Sequence, residues 1–125
     1  MGGARKRILA IDDELEILSS VREDLEAEGY EVCTANNGAA GLELARVFRP
    51  DMIFLDIKMP NMDGFQFLQR LEANPDLSRI PVCMVSGHGD VDNIFKAQSS
   101  RRVRDFVIKP FKTIELIDLV NRHVD

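Results

Sequence analysis

Short apolar runs recur along the chain: Ile8-Leu9-Ala10-Ile11, Tyr30 to Ala35, Met52-Ile53-Phe54-Leu55, Val82-Cys83-Met84-Val85 and Val103 to Ile108. The first, third and fourth are apolar at nearly every position, which predicts strands covered on both faces. The second (Tyr30-Glu31-Val32-Cys33-Thr34) alternates and the fifth carries Arg104 and Asp105, so these two are expected at the edges of the sheet. Four segments between the runs, and one after the last, carry apolar residues at helical spacing. Their stripes are Ile17, Leu18, Val21 and Leu25; Leu44, Ala45 and Phe48; Phe65, Leu68 and Leu71; Val91, Ile94 and Phe95; and Ile117, Val120 and Val124. Five strand–helix units of about 25 residues therefore fill the chain, and such alternation predicts an α/β fold with a parallel sheet and helices on both faces. The punctuation agrees. Gly29 stands where the first helix should stop, Asp63 and Gln66 match a capping box, and all five prolines fall between elements.

The 125 residues are read as a single domain, 1–125. Sixteen basic and 21 acidic side chains leave a net charge of −5, which argues against nucleic acid or an anionic membrane as the main partner. No apolar run approaches the roughly 20 residues of a membrane span. The start lacks a signal-peptide core, and Lys6 stands where a myristoylation signal has Ser or Thr. Cys33 and Cys83 are too few and too far apart for a disulfide framework or a zinc site, and are expected as reduced core residues in a cytoplasmic protein.

The polar residues where strands stop carry the chemistry. The first strand ends in Asp12-Asp13, the third in Asp56, the fourth in Ser86 and the fifth in Lys109. In an open parallel sheet, ligands bind beyond the carboxyl ends of the strands at the topological switch point. With strand order 2-1-3-4-5, the three acids converge from neighbouring strands and Ser86 and Lys109 flank them. Such a cluster repels itself unless a cation sits within it, and oxygen donors without His or Cys suit Mg²⁺. A carboxylate can also attack phosphorus to give an aspartyl phosphate, with metal and ammonium neutralising the phosphoryl oxygens and a hydroxyl bonding one of them. Each residue alone has an ordinary reading: a helix N-cap for Asp12-Asp13, turn residues for Asp56 and Ser86, and for Lys109 a common Lys-Pro pair that by itself says nothing.

Taken together, these residues resemble the receiver domain of two-component response regulators, over essentially the whole chain. The resemblance rests on Ile11-Asp12-Asp13-Glu14, on residues 51–64 (DMIFLDIKMPNMDG), on Val85-Ser86-Gly87-His88 and on residues 105–111 (DFVIKPF). It implies a flavodoxin-like, doubly wound five-stranded parallel sheet of order 2-1-3-4-5 with five helices. It implies that Asp56 is the phosphoacceptor and that Asp13 is a direct Mg²⁺ ligand, with Asp12 supporting it through water and the Lys58 backbone carbonyl as a further ligand. It makes Ser86 the switch hydroxyl, Lys109 the phosphate-binding lysine, the Lys109–Pro110 bond cis, and Phe106 the aromatic residue that turns inward on activation. The implied function is a phosphorylation-activated switch that takes its phosphoryl group from a histidine kinase or histidine phosphotransfer protein. It is no enzyme beyond its own phosphorylation and dephosphorylation.

Three residues depart from the family pattern: Arg102-Val103 stands for Gly-Ala, and Gly87 for Ala. Residues 86–90 are most similar to receivers of nitrogen-regulation activators. With no Gly at the end of the fourth helix, an irregular, mobile exit is expected over residues 98–102. The face of the fourth helix, fifth strand and fifth helix is expected to meet an output domain or a second copy, with Arg101, Arg102 and Arg104 as polar contacts and no direct binding of nucleic acid. Two other functions fit the residues less well. A flavodoxin-like cofactor carrier requires a Gly- or Ser/Thr-rich phosphate loop after the first strand, where this chain has Asp-Asp-Glu. A degenerate receiver acting only as an interaction module would have lost Asp13, Asp56 or Lys109, and all three are present.

Overall fold

The computed structural model describes residues 5–87, 92, 96 and 103–124. In chain order these form β1 (Arg7–Ile11), α1 (Leu15–Ala27), β2 (Glu31–Ala35), α2 (Gly38–Phe48), β3 (Met52–Asp56), α3 (Gly64–Glu72), β4 (Val82–Ser86), β5 (Val103–Ile108) and α4 (Thr113–His123). The five strands pair in parallel in the order β2-β1-β3-β4-β5. The edges are β2 and β5, the two strands whose sequences are least apolar. β3 and β4 are buried at every position.

Among the described residues there are four helices, where five were expected. The segment of the expected fourth helix lies outside the described residues except for Asp92 and Lys96, both helical. The exit expected at residues 98–102 also lies outside them, as do Arg101 and Arg102; of residues 86–90 only Ser86 and Gly87 are described.

Alternation along the strands splits the core into two layers. Leu9, Ile11, Ile53, Leu55, Val82 and Met84 meet Ala45 of α2 and Phe67, Leu68 and Leu71 of α3. Ile8, Ala10, Met52, Phe54, Cys83 and Val85 meet Leu18, Val21 and Leu25 of α1 and Leu116, Leu119 and Val120 of α4. The buried stripes are not always the expected ones. α3 buries Phe67 completely while Phe65 is only half-buried, with the Lys96 ammonium 4.4 Å above its ring centre. α4 buries Leu116 and Leu119 as well as Val120. Both windows hold more apolar residues than one narrow stripe, so period alone left their phase ambiguous.

Local chemistry ends the helices as the sequence indicated. Gly29, at φ +94°, follows α1; its N–H donates to the Glu26 carbonyl at 3.0 Å and the Tyr30 N–H to the Leu25 carbonyl at 3.1 Å. That pair of bonds is a Schellman stop, and it needs a left-handed residue at the turn. Asp63 and Gln66 close a capping box on α3, both bonds at 2.9 Å. Cys33 and Cys83 are free thiols. Among the described residues no helix is long and apolar enough to cross a membrane.

Candidate functional site

Asp12, Asp13, Asp56, Ser86 and Lys109 stand at or just past the carboxyl ends of their strands, and ladder bonds just beyond the strands hold the backbone there. The Asp12 N–H donates to the Ala35 carbonyl at 3.1 Å, the Ile57 N–H to the Val85 carbonyl at 3.1 Å, and the Lys109 N–H to the Ser86 carbonyl at 2.7 Å. The sheet thus brings together residues far apart in the chain. One carboxylate oxygen from each of Asp12, Asp13 and Asp56 lies within 4.8 Å of the others. Asp12, Asp56 and Ser86 are the buried polar residues of the described core, whereas Asp13 is exposed. The Lys109 ammonium is 2.9 Å from Asp12 Oδ2, 2.9 Å from Glu14 Oε1 and 3.6 Å from Asp56 Oδ2. Ser86 Oγ donates to the Gly87 carbonyl at 3.4 Å. The Lys109–Pro110 peptide is cis. Lys58, with an exposed side chain, lies two residues past Asp56 in the loop to α3.

The start of α1 is built unusually. Its N-cap position falls on Glu14, whose side chain makes no capping bond. Asp12 Oδ1 instead accepts the Glu14 N–H at 2.9 Å, and the Glu14 carboxylate reaches across to Lys109. Asp12 therefore orders the start of the helix without standing at the N-cap. Sequence reasoning gives Glu14 no role; its one local signal is a third acid in Asp12-Asp13-Glu14.

Gly64 also acquires a role the sequence did not announce. Its N–H donates to the Ile57 carbonyl at 2.8 Å, closing the loop after Asp56. A Cβ there would lie 2.8 Å from the Asp56 carbonyl oxygen and 2.9 Å from Ile57 Cα. Both are backbone atoms, so any larger residue would have to push α3 away from the strand that carries Asp56.

The electrostatics follow from the packing. Burial first, then the Asp12 charge, with smaller contributions from a hydrogen bond to Asp12 and the Asp13 charge, raise the pKa of Asp56 from 3.8 to about 7 against the opposing Lys109 charge. For Lys109, burial pulls the pKa down, but hydrogen bonds to Asp12 and Glu14 and the charges of Asp56 and Asp12 outweigh that and leave it raised. The crevice thus holds more negative charge than one ammonium can balance. Oxygen donors without His or Cys are the ligand set of a hard divalent cation.

Phe106 sits on β5 opposite Met84 of β4, half-buried against the core layer that includes α3. The register slips between Val82 and Cys83, which pair with Val103 and Asp105, leaving Arg104 as the extra residue of a bulge. Asp105 is thereby turned towards α4, where its Oδ2 accepts from Arg122 Nη1 at 2.7 Å and lies 3.2 Å from His123 Nε2. Its Oδ1 accepts the Phe106 N–H at 3.0 Å. Burial raises the Asp105 pKa, but the bonds from His123, the Phe106 N–H and Arg122 overcome it and hold the carboxyl below its usual value.

A doubly wound sheet with three carboxylates, a lysine and a buried hydroxyl at its switch point defines a narrow class of signalling domains. The family model of the response regulator receiver domain matches residues 8–121, and the chain belongs to that family. It is a family of two-component signalling switches and not of classical enzymes. The chain is 37% identical over 116 residues to the transcriptional regulatory protein PrrA of Mycobacterium tuberculosis, covering 93% of this chain and 48% of that protein. It thus spans about half the length of that relative. It is 31% identical to sporulation initiation phosphotransferase F of Bacillus subtilis, covering 95% of this chain and 94% of that one. Among solved structures it is similar to the Vibrio cholerae chemotaxis protein CheY4, with a TM-score of 0.88, 28% identity, and 97% and 100% of the two chains covered. It is also similar to the receiver domain of NtrX from Brucella abortus, with a TM-score of 0.84, 34% identity, and 94% and 97% covered.

Proposed function

We propose that residues 1–125 act as one phosphorylation-activated switch, with Asp56 as the phosphoacceptor. The observation that carries this reading is the convergence of Asp12, Asp13 and Asp56 within 4.8 Å beside the Lys109 ammonium. A carboxylate oxygen of Asp56 attacks the phosphorus of a phosphohistidine on a histidine kinase or histidine phosphotransfer protein. The new P–O bond forms as the P–N bond breaks, and the leaving imidazole nitrogen keeps the electron pair and takes up a proton. Asp13, with Asp12 through water and the carboxylate of Asp56, would hold a Mg²⁺ ion together with the Lys58 backbone carbonyl. The cation would supply charge neutralisation at the transferring phosphoryl oxygens. Lys109 holds one phosphoryl oxygen by a charge-assisted hydrogen bond, and the Ser86 hydroxyl turns from Gly87 to donate to another.

The response leaves through β5 and α4. Ser86 moving towards the phosphoryl group opens space on the Phe106 side, and Phe106, which has no hydroxyl to desolvate, packs inward. The face that changes then meets an output domain or a second copy, in the cytoplasm and without direct contact to nucleic acid. Retention of Asp13, Asp56 and Lys109 favours this over an interaction module that ignores phosphorylation. Intact-protein mass spectrometry after acetyl phosphate and Mg²⁺ treatment tests it. One phosphoryl increment is expected, lost in Asp56→Asn and in excess chelator; labelling that survives either change refutes the assignment.

A further inference from the structure

We propose that Glu14 is a positioning residue that tethers Lys109 towards α1 and away from Asp56, and so slows phosphorylation until the tether is released. This rests on the reading of Asp56 as phosphoacceptor. The Lys109 ammonium has three protons to donate. It stands 2.9 Å from both Asp12 and Glu14 but 3.6 Å from Asp56. The carboxylate that would carry the phosphoryl group therefore has the weakest hold on the lysine.

The two closer partners are not equivalent. Asp12 is nearly fully buried and held by its bond to the Glu14 N–H, so its contact with Lys109 cannot open without unpacking its surroundings. The Glu14 side chain is 61% exposed and solvent-screened, so its contact can open without unpacking anything. The pair borders a surface groove lined by Ile17, Ser20, Pro110 and Phe111, which leaves the carboxylate room to swing away. Glu14 holds the N-cap position without capping, its side chain one methylene longer than the Asp that favours that place, and the carboxylate instead spans 95 residues of sequence to reach Lys109.

Reach separates this tether from a simple charge effect. Glu14→Asp keeps the charge but shortens the side chain by one methylene, so it should no longer span to Lys109. Glu14→Ala removes both charge and reach; neither variant loses a capping bond, and in Glu14→Asp the shorter carboxylate is free to cap α1, which likewise leaves Lys109 untethered. The experiment compares wild type, Glu14→Ala and Glu14→Asp in two measurements. The first is the rate of acetyl phosphate labelling with Mg²⁺. The second is the ζ-ammonium NMR signal of Lys109 without donor, which sharpens when its protons are held. Both variants are expected to label about three-fold faster, the size an exposed ion pair allows, with the Lys109 signal broadened in each. Glu14→Asp behaving as wild type, or Glu14→Ala with unchanged rate and signal, overturns the proposal. Failure of the underlying reading looks different: wild type then carries no label, or keeps it in Asp56→Asn, while the Lys109 signal still reports on the contact with Glu14.

Discussion

The two ends of the sheet both gather charged groups, and they treat them in opposite ways. At the amino-terminal end, the Arg7 N–H donates to Asp51 Oδ2 at 2.8 Å and its guanidinium donates to the Phe48 carbonyl at 2.9 Å. The same guanidinium lies 5.5 Å from the centre of the Phe48 ring and 3.6 Å from Glu31. Opposite charges meet there in water, and the partners tie β1 to α2, to β2 and, through Asp51, to the start of β3. At the carboxyl-terminal end, Asp12 and Asp56 are buried beside Asp13 with Lys109 as their cation. The first arrangement costs the fold little and does no chemistry. The second works against stability and concentrates charge where a cation and a phosphoryl group can use it.

The sharpest way to break the contrast is to remove the buried charge. The Asp56 pKa is raised from 3.8 to about 7, so the folded state binds the proton more tightly than the unfolded chain. Stability from this group is fully present below the unfolded pKa and is lost as pH rises through the folded one. In chelator at pH 8, Asp56→Asn is therefore expected to be more stable than wild type by on the order of 3 kcal/mol. The difference should vanish below about pH 4. Urea titrations across that range check it; a variant less stable than wild type at pH 8 would show that the crevice is not strained by its charge.

A smaller effect is expected at Gly64. Forcing a Cβ to within 2.8 Å of the Asp56 carbonyl should cost Gly64→Ala about 2 kcal/mol and slow phosphoryl labelling together. The same unfolding and mass-spectrometric assays read both. Unchanged labelling at reduced stability would mean that α3 can shift without moving Asp56.

The smallest effect belongs to the other end of the sheet. The Arg7 and Glu31 side chains are 43% and 51% exposed. Arg7→Gln should cost less than about 1 kcal/mol, with part of that loss removed by salt, and should leave labelling untouched. A labelling defect in Arg7→Gln would mean that the two ends are coupled through β1.

Much of the site was legible because its parts sit at strand ends, and strand ends are visible as the point where an apolar run stops. Asp12, Asp13, Asp56, Ser86 and Lys109 stand out in this way, and the sheet order then brings them together. Glu14 and Gly64 do not. The value of Glu14 lies in a contact with a residue 95 positions away, and that of Gly64 in its close approach to the backbone of Asp56. Asp105 is similar: a single-residue bulge turns it to Arg122 and His123, and no pattern along β5 foretells the slip.

The sequence by itself determined the alternation of strands and helices, the buried and edge character of each strand, the Gly29 stop and the Asp63 capping box. These depend on a residue and its neighbours within a turn or two, so period and local hydrogen bonding suffice. The phase of α3, with Phe67 rather than Phe65 fully buried, was left to the packing of that helix on the sheet. So was the sharing of Lys109 between Asp12 and Glu14 at equal distance, with Asp56 farther off. Those outcomes belong to tertiary structure because they are set by distances between chain segments that meet only once the sheet has assembled.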